Sequence, residues 1–315
     1  MEIPIESLSF PLQTTNRPEQ LVSHYSYSII VPTHNRPDAL MRCLSSLSLL
    51  DRQQLEIEII VVDDGSDQSL QTLVNTSELD AQFIIQANYG PAHARNAGAA
   101  AAKGSTLIFI DDDCTVDNAY VTKLANAVRQ YPSAMIGGPV INQLQDNRLA
   151  ESTQVLVTFL REVDRSADGS IKFFSSNNLA VPRSEFIKMG GFDERLRLGE
   201  DREFCHRWRM GNRPIIYVPD AIVYHWHDLT PRQFWQLHIH YGRGSAAYRA
   251  IIKQPDQKRL TIEAWDYYAK LILYPFTRYP RTQASVMSCL LIIAQFATSV
   301  GYIKFWLRDR MQLTL

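Results

Sequence analysis

Asn88 to Cys114 reads NYGPAHARNAGAAAAKGSTLIFIDDDC. Glycine and proline open it, alanines fill its middle, Thr106 to Ile110 is an apolar run, and three aspartates close it. The run lacks the polar alternation of a half-exposed strand, so it reads as a strand of a parallel sheet covered on both faces. Ala92 to Lys103 reads as the preceding helix, with Gly104 as its C-terminal stop. Helix followed by buried strand is the unit of an open α/β fold, whose ligands bind just beyond the carboxyl ends of the strands. The aspartates lie at such an end. Carboxylates that close raise one another's pKa, so the triplet calls for a cation.

The same unit recurs upstream and downstream. Tyr27–Pro32 and Ile57–Val62 read as buried strands, Phe83–Gln86 as a shorter one. Asp38–Leu50, Leu70–Leu79 and Asn118–Gln130 read as helices, the first with Asp38 as its cap. Four strand ends then carry polar clusters: His34-Asn35-Arg36, Asp63-Asp64-Gly65-Ser66, Asn88-Tyr89-Gly90 and Asp111-Asp112-Asp113. A sheet that gathers four polar clusters on one edge is building a site there.

The chain has 315 residues, 45% of them hydrophobic, and a net charge of -1. It is long enough for a full core. Its charge balance lacks the basic excess of a nucleic-acid binder, so no nucleic-acid partner is expected. Its four cysteines include no CxxC pair and read as reduced thiols of a cytoplasmic protein. Glu2 and Glu6 interrupt the N-terminus where a basic-then-apolar leader would begin, so no signal peptide is expected. Neither GxGxxG nor GxxxxGK[ST] is present, which disfavours a Rossmann dinucleotide site and excludes a P-loop.

On an extended strand end, Asp111 and Asp113 point to one side, where two oxygens suit a hard divalent cation such as Mg²⁺ or Mn²⁺. Asp63 and Asp64 can accept hydrogen bonds from a base or a ribose. Four stretches, SIIVPTHNRP, VVDDGSD, Asn88–Asp113 and GGFDERLRLGEDREFCHRWRMG, stand in the order and spacing of a known family. From Tyr27 to His227 the chain resembles a family 2 glycosyltransferase of the GT-A fold.

The resemblance implies an α/β domain with an open, mostly parallel sheet flanked by helices. It implies inverting transfer of a sugar from a nucleotide-sugar, UDP being the commonest carrier. Asp63 or Asp64 would hold the base, and Asp111 and Asp113 would form the metal motif, with Asp112 as an extra acid between them. Arg95 and Asn96 would sit near the diphosphate or ribose. The donor is expected against Pro32, His34, Asn35, Arg36, Asp63, Asp64, Asn88, Arg95, Asp111 and Asp112. Asp201, rather than Glu200, would be the base that takes the acceptor's proton. His225 and His227 share one face of a strand; relatives carry a histidine at this distance as a metal ligand, and His225 is favoured. Asn177, Asn178 and Glu200 are candidates for the acceptor. His238 and His240 repeat the spacing within a helix, where they do not face each other.

The expected organisation is a tail over 1–25, the transferase domain over 26–230 and a helical extension over 231–315. Ser285–Ile303 is uncharged and long enough for a buried or dimer-forming helix, a membrane-surface helix or a span, with Lys304, Arg308 and Arg310 following it. A glycan or lipid-linked acceptor and peripheral contact with the cytoplasmic face of a membrane are expected. A nucleotidyltransferase would carry a glycine-rich phosphate loop where this chain has PTHNRP. A non-catalytic sugar-nucleotide binder would most readily lack the acids this chain keeps.

Overall fold

A computed structural model describes residues 26–52, 55–77, 79–163, 171–252 and 265–309. The expected tail, 1–25, and Arg310 lie outside the described residues. The first half runs β1 (Ser26–Thr33), α1 (Pro37–Ser48), β2 (Glu56–Asp64), α2 (Gln71–Thr76), β3 (Ala81–Gln86), α3 (Pro91–Ala101), β4 (Thr106–Phe109), β5 (Cys114–Val116) and α4 (Tyr120–Gln130). Then come β6 (Met135–Gly137), β7 (Val140–Asn142), α5 (Arg148–Val163), β8 (Leu179–Pro182), α6 (Arg183–Lys188), α7 (Glu200–Met210), β9 (Ile215–Tyr217) and β10 (Val223–His225). Three helices follow: α8 (Pro231–Ile252), α9 (Trp265–Leu273) and α10 (Arg281–Lys304).

The main sheet has the order β3-β2-β1-β4-β8-β6-β9. β1 to β4 are parallel, and only β8 runs against its neighbours β4 and β6. The fold is therefore α/β with a mostly parallel sheet flanked by helices and a helical C-terminal part. Strand alternation divides the core in two. Ile29, Val31, Ile59, Val61 and Ile108 face α1 and α4, while Ile30, Ile60, Val62, Leu107 and Phe109 face α3 and α7. Every one of these strand side chains is 0% exposed, which explains why the strands read as unbroken apolar runs.

Local signals were redistributed at the helix ends. Arg36 is the N-cap of α1, with Pro37 in its first turn; Asp38 lies inside that turn rather than capping it. Proline has no N–H to satisfy, so it suits this position. α3 ends at Ala101, because Gly104 is held by the strands: its N–H donates to Ser28 Oγ at 2.8 Å. α2 stops at Thr76, where Ser77 turns extended. Beside the main sheet, β5 and β7 flank β10, antiparallel and parallel to it respectively.

α10 packs on α8, α5 and α9. The α8–α10 crossing brings backbone to backbone. A Cβ on Gly242 would lie 1.9 Å from Thr298 O, and one on Gly301 2.0 Å from Ile239 O. By length and composition alone, α10 and the π-helical turn after it could cross a membrane, with a mean hydropathy of 1.8; one third of that window is buried in the protein.

Candidate active site

The carboxyl ends of β1, β2 and β4 meet in one cleft, and their turns are stitched together. Asn35 takes a left-handed backbone (φ 54°), which asparagine tolerates. Its N–H donates to Ser66 Oγ at 2.8 Å, and its carboxamide exchanges hydrogen bonds with Asp67. His34 Nε2 lies 3.2 Å from Asn88 Nδ2, so the third polar cluster joins the first. Gly65 has φ 75°, and a Cβ there would strike Asn88 N at 2.7 Å; only glycine lets the β2 end lie against this turn.

Asp63 and Asp64 are buried at the end of β2. Asp64 accepts from the N–H groups of Tyr89 and Gly90 and from Gln86 Nε2, at 2.7–3.0 Å. Asp63 accepts from Ser66 N at 3.0 Å. Pro32 is buried in β1, where it pairs with Val62.

The aspartate triplet departs from the expected geometry. β4 ends at Phe109, and Cys114 N–H donates to Asp111 O at 3.1 Å, so the three acids occupy a turn instead of an extended end. Asp111 therefore parts from the other two, which meet at one guanidinium. Asp111 pairs with Arg95 at 2.6 Å, and Arg36 bridges Asp112 and Asp113 at 2.6 Å each. Thr33 Oγ1 also donates to Asp112 at 2.7 Å. The cations that relieve the crowding are thus two arginines of the chain. Burial opposes the Arg36 charge, but Asp113, Asp112 and Asp111 outweigh it and raise its pKa. Burial drives Asp112 upward in spite of Arg36, whereas His225 and Arg36 overcome burial at Asp113 and hold it well below the carboxylate range.

β10 carries His225 to Asp113. The antiparallel β5–β10 register sets His225 opposite Cys114, and Trp226 N–H closes on Asp113 O at 2.8 Å. His225 Nε2 lies 3.3 Å from Asp113 Oδ1, and Cys114 Sγ lies 3.7 Å from the same oxygen. Donor atoms of Asp113, Cys114 and His225 all fall within 4.8 Å of one another. A carboxylate, an imidazole and a thiol so grouped can hold a divalent cation. Asp111, expected in this group, is engaged by Arg95. His227 stacks on His225 with ring centroids 4.5 Å apart; burial and His225 push its pKa down to about 4. Burial would lower His225 too, but Asp113 prevails and raises it. Cys114 was readable only as an ordinary thiol, because its role depends on a pairing across more than a hundred residues.

Asp201 stands in the first turn of α7, behind Gly199 in the left-handed region. Its carboxylate accepts from Arg202 N at 2.7 Å, and Ser176 N approaches at 3.4 Å. Burial raises its pKa against Arg202 and Arg95. Glu200, expected toward an acceptor, is instead buried against Arg95 Nη1 at 2.8 Å; burial and Asp201 lift it to about 7. Arg95 thereby links the end of β4 to the start of α7, inside the protein and not along the cleft. Asn178 also departs from expectation. It is 1% exposed, and its carboxamide serves Pro139 O, Ala221 O and the Tyr120 hydroxyl, which leaves nothing for an acceptor. Asn177 accepts from Ser175 Oγ, and Asn96 binds the Phe192 backbone through both its amide groups. An open cavity of about 490 Å³ beside Asn96, Phe192 and Arg207 includes none of the cleft aspartates in its lining.

Residues 28–191 match the family model described as glycosyl transferase family 2. The chain is 27% identical over 248 residues to the pre-mycofactocin glycosyltransferase of Mycobacterium tuberculosis (strain ATCC 25618 / H37Rv), covering 76% of this chain and 51% of that protein. It is 28% identical over 304 residues to the validoxylamine A glucosyltransferase of Streptomyces hygroscopicus subsp. limoneus, covering 77% and 64%. The chain thus spans about half to two thirds of the length of these relatives. The crystal structure of S. aureus TarS 1-349 superimposes with a TM-score of 0.53 at 18% identity, covering 91% of each chain, a likeness of fold.

Proposed function

This chain belongs to glycosyl transferase family 2, and we propose that it moves a sugar, with inversion, from a nucleoside-diphosphate sugar to a hydroxyl group of an acceptor. A UDP-sugar is the proposed donor, and a glycan or lipid-linked glycan the acceptor. The proposed setting is the cytoplasm, which suits four free cysteines. One observation carries the reading: Asp113 and His225 sit side by side at the strand edge that also presents Asp63 and Asp64.

In this reading the Asp63–Asp64 end of β2 receives the nucleoside, the Asp63 carboxylate accepting one hydrogen bond, from Ser66 N, among the described residues. The diphosphate lies over the β4 turn. The donor set there fits a divalent ion of the Mg²⁺ or Mn²⁺ class, with a hard carboxylate oxygen from Asp113 and an imidazole nitrogen from His225. When bound, such an ion offsets the charge gathering on the departing diphosphate. Arg36 is half-exposed above the same turn and can turn from the aspartates to a phosphate.

Asp201 takes the proton from the acceptor hydroxyl as that oxygen attacks the anomeric carbon. Its raised pKa suits a general base better than that of an exposed aspartate. Arg95 and Glu200 fix the first turn of α7 and so hold Asp201 in place. The test is to incubate the protein with labelled UDP-, GDP- and dTDP-sugars in the presence of Mn²⁺ or EDTA, with the product anomer read by NMR. Release of one nucleoside diphosphate, stopped by EDTA, supports the reading. Release that ignores EDTA removes the metal from it, and a retained anomer removes the inversion.

A further inference from the structure

Along the outward face of α10, Phe296 meets Trp235 of α8 with ring centroids 6.0 Å apart, and the apolar side chains around it stay exposed. Ile292, Ile293, Phe296 and Ile303 stand 44–64% exposed, and Leu307 of the turn that follows stands 77% exposed. Phe296 follows Ile292 and Ile293 by one turn, Ile303 follows Phe296 by two turns and Leu307 follows by one more, so they form one stripe along the axis. The opposite stripe, which includes Leu291, Ala294 and Gly301, is buried toward α5 and α8. No carboxylate interrupts the outward stripe between 281 and 308. Cations mark both of its ends: Arg281 before it, Lys304 between Ile303 and Leu307, and Arg308 after it, all exposed and in no ion pair among the described residues.

We propose that this face seats the protein on an anionic bilayer surface. An apolar stripe with basic ends matches the layering of such an interface, apolar groups entering the acyl boundary while cations meet headgroup phosphates. A second copy fits poorly. Because both ends are basic, stacking two stripes in either direction sets cation against cation. The burial of the opposite stripe argues for lying on the surface over crossing it.

The cleft is one helix away. Gly242 of α8 touches Thr298 of α10, and Gly244, two residues on, packs against Leu198, just before the first turn of α7 that carries Asp201. A bilayer under α10 would thus bring a lipid-linked acceptor toward the base. That acceptor class rests on the transfer reading; the bilayer surface does not.

The test is flotation of the full chain with phosphatidylcholine vesicles, with and without phosphatidylglycerol. The chain is expected to float with the anionic vesicles, and less so at high salt. Phe296→Glu with Ile292→Glu is expected to abolish flotation. Lys304→Gln with Arg308→Gln is expected to weaken it roughly tenfold or more. These side chains are exposed, so circular dichroism and calorimetric nucleotide binding should be unchanged in the variants, which separates this surface from the donor site. A chain that floats with neither vesicle overturns the proposal. So does equal flotation of Phe296→Glu and wild type, or a dimer in light scattering that Phe296→Glu dissolves.

Discussion

The guanidinium of Arg36 lies 2.6 Å from the carboxylate of Asp113. That oxygen pair is also the one that His225 approaches, so Arg36 and a divalent ion compete for Asp113. Arg36→Gln is therefore expected to tighten the binding of Mn²⁺ alone about fivefold, a modest gain because Arg36 is 49% exposed and its pair is screened by solvent. Electron paramagnetic resonance of free Mn²⁺ measures it. An unchanged affinity would place the ion away from Asp113.

Asp201→Asn keeps the shape of the α7 terminus and removes the base. Nucleotide binding should persist, while transfer falls by about 10²- to 10⁴-fold. Parallel calorimetry and turnover assays check both halves. Turnover near wild type would require another base.

Arg95 holds two carboxylates in the interior, Asp111 at 2.6 Å and Glu200 at 2.8 Å. Arg95→Met leaves both without a partner and is expected to cost about 3–5 kcal/mol in urea unfolding. Adding Glu200→Gln should recover part of the loss, because one uncompensated charge is gone.

From the sequence, the parallel strands and the polar edge are legible, since apolar runs and strand-end clusters are local signals. The geometry of Asp111–Asp113 is not, because a period of two applies only while a strand continues, and β4 stops at Phe109. Arg36 and Arg95 read as donor contacts, yet their pairing with the triplet depends on the tertiary approach of α1 and α3. Cys114 meets His225 through a strand pairing that no local pattern announces. Asn178 looked like a polar turn beside a strand, but its partners come from β-strand ends and α4 far along the chain.

Burial raises both acids at the start of α7, Glu200 to about 7. The folded chain holds protons there that the unfolded chain releases near pH ~4. This contribution to stability is full below that value and is lost as pH rises through the folded values. Turnover needs Asp201 ionised and so climbs as pH rises through its raised pKa. Glu200→Gln removes the neighbouring charge; it should shift the acid limb of the pH–rate profile to lower pH and flatten the loss of stability between about pH 4 and 7. Both are read from pH-resolved turnover and unfolding, and an unmoved limb would uncouple the two acids.

The most direct measurement is calorimetric titration of the protein with UDP, GDP and dTDP, each in Mn²⁺ and in EDTA, repeated on Asp113→Asn. Binding of one nucleotide, UDP foremost, that needs Mn²⁺ and is lost in Asp113→Asn is the predicted result. Nucleotide binding that is indifferent to EDTA and to Asp113, or no binding by the folded protein, would contradict the donor site at the β4 turn.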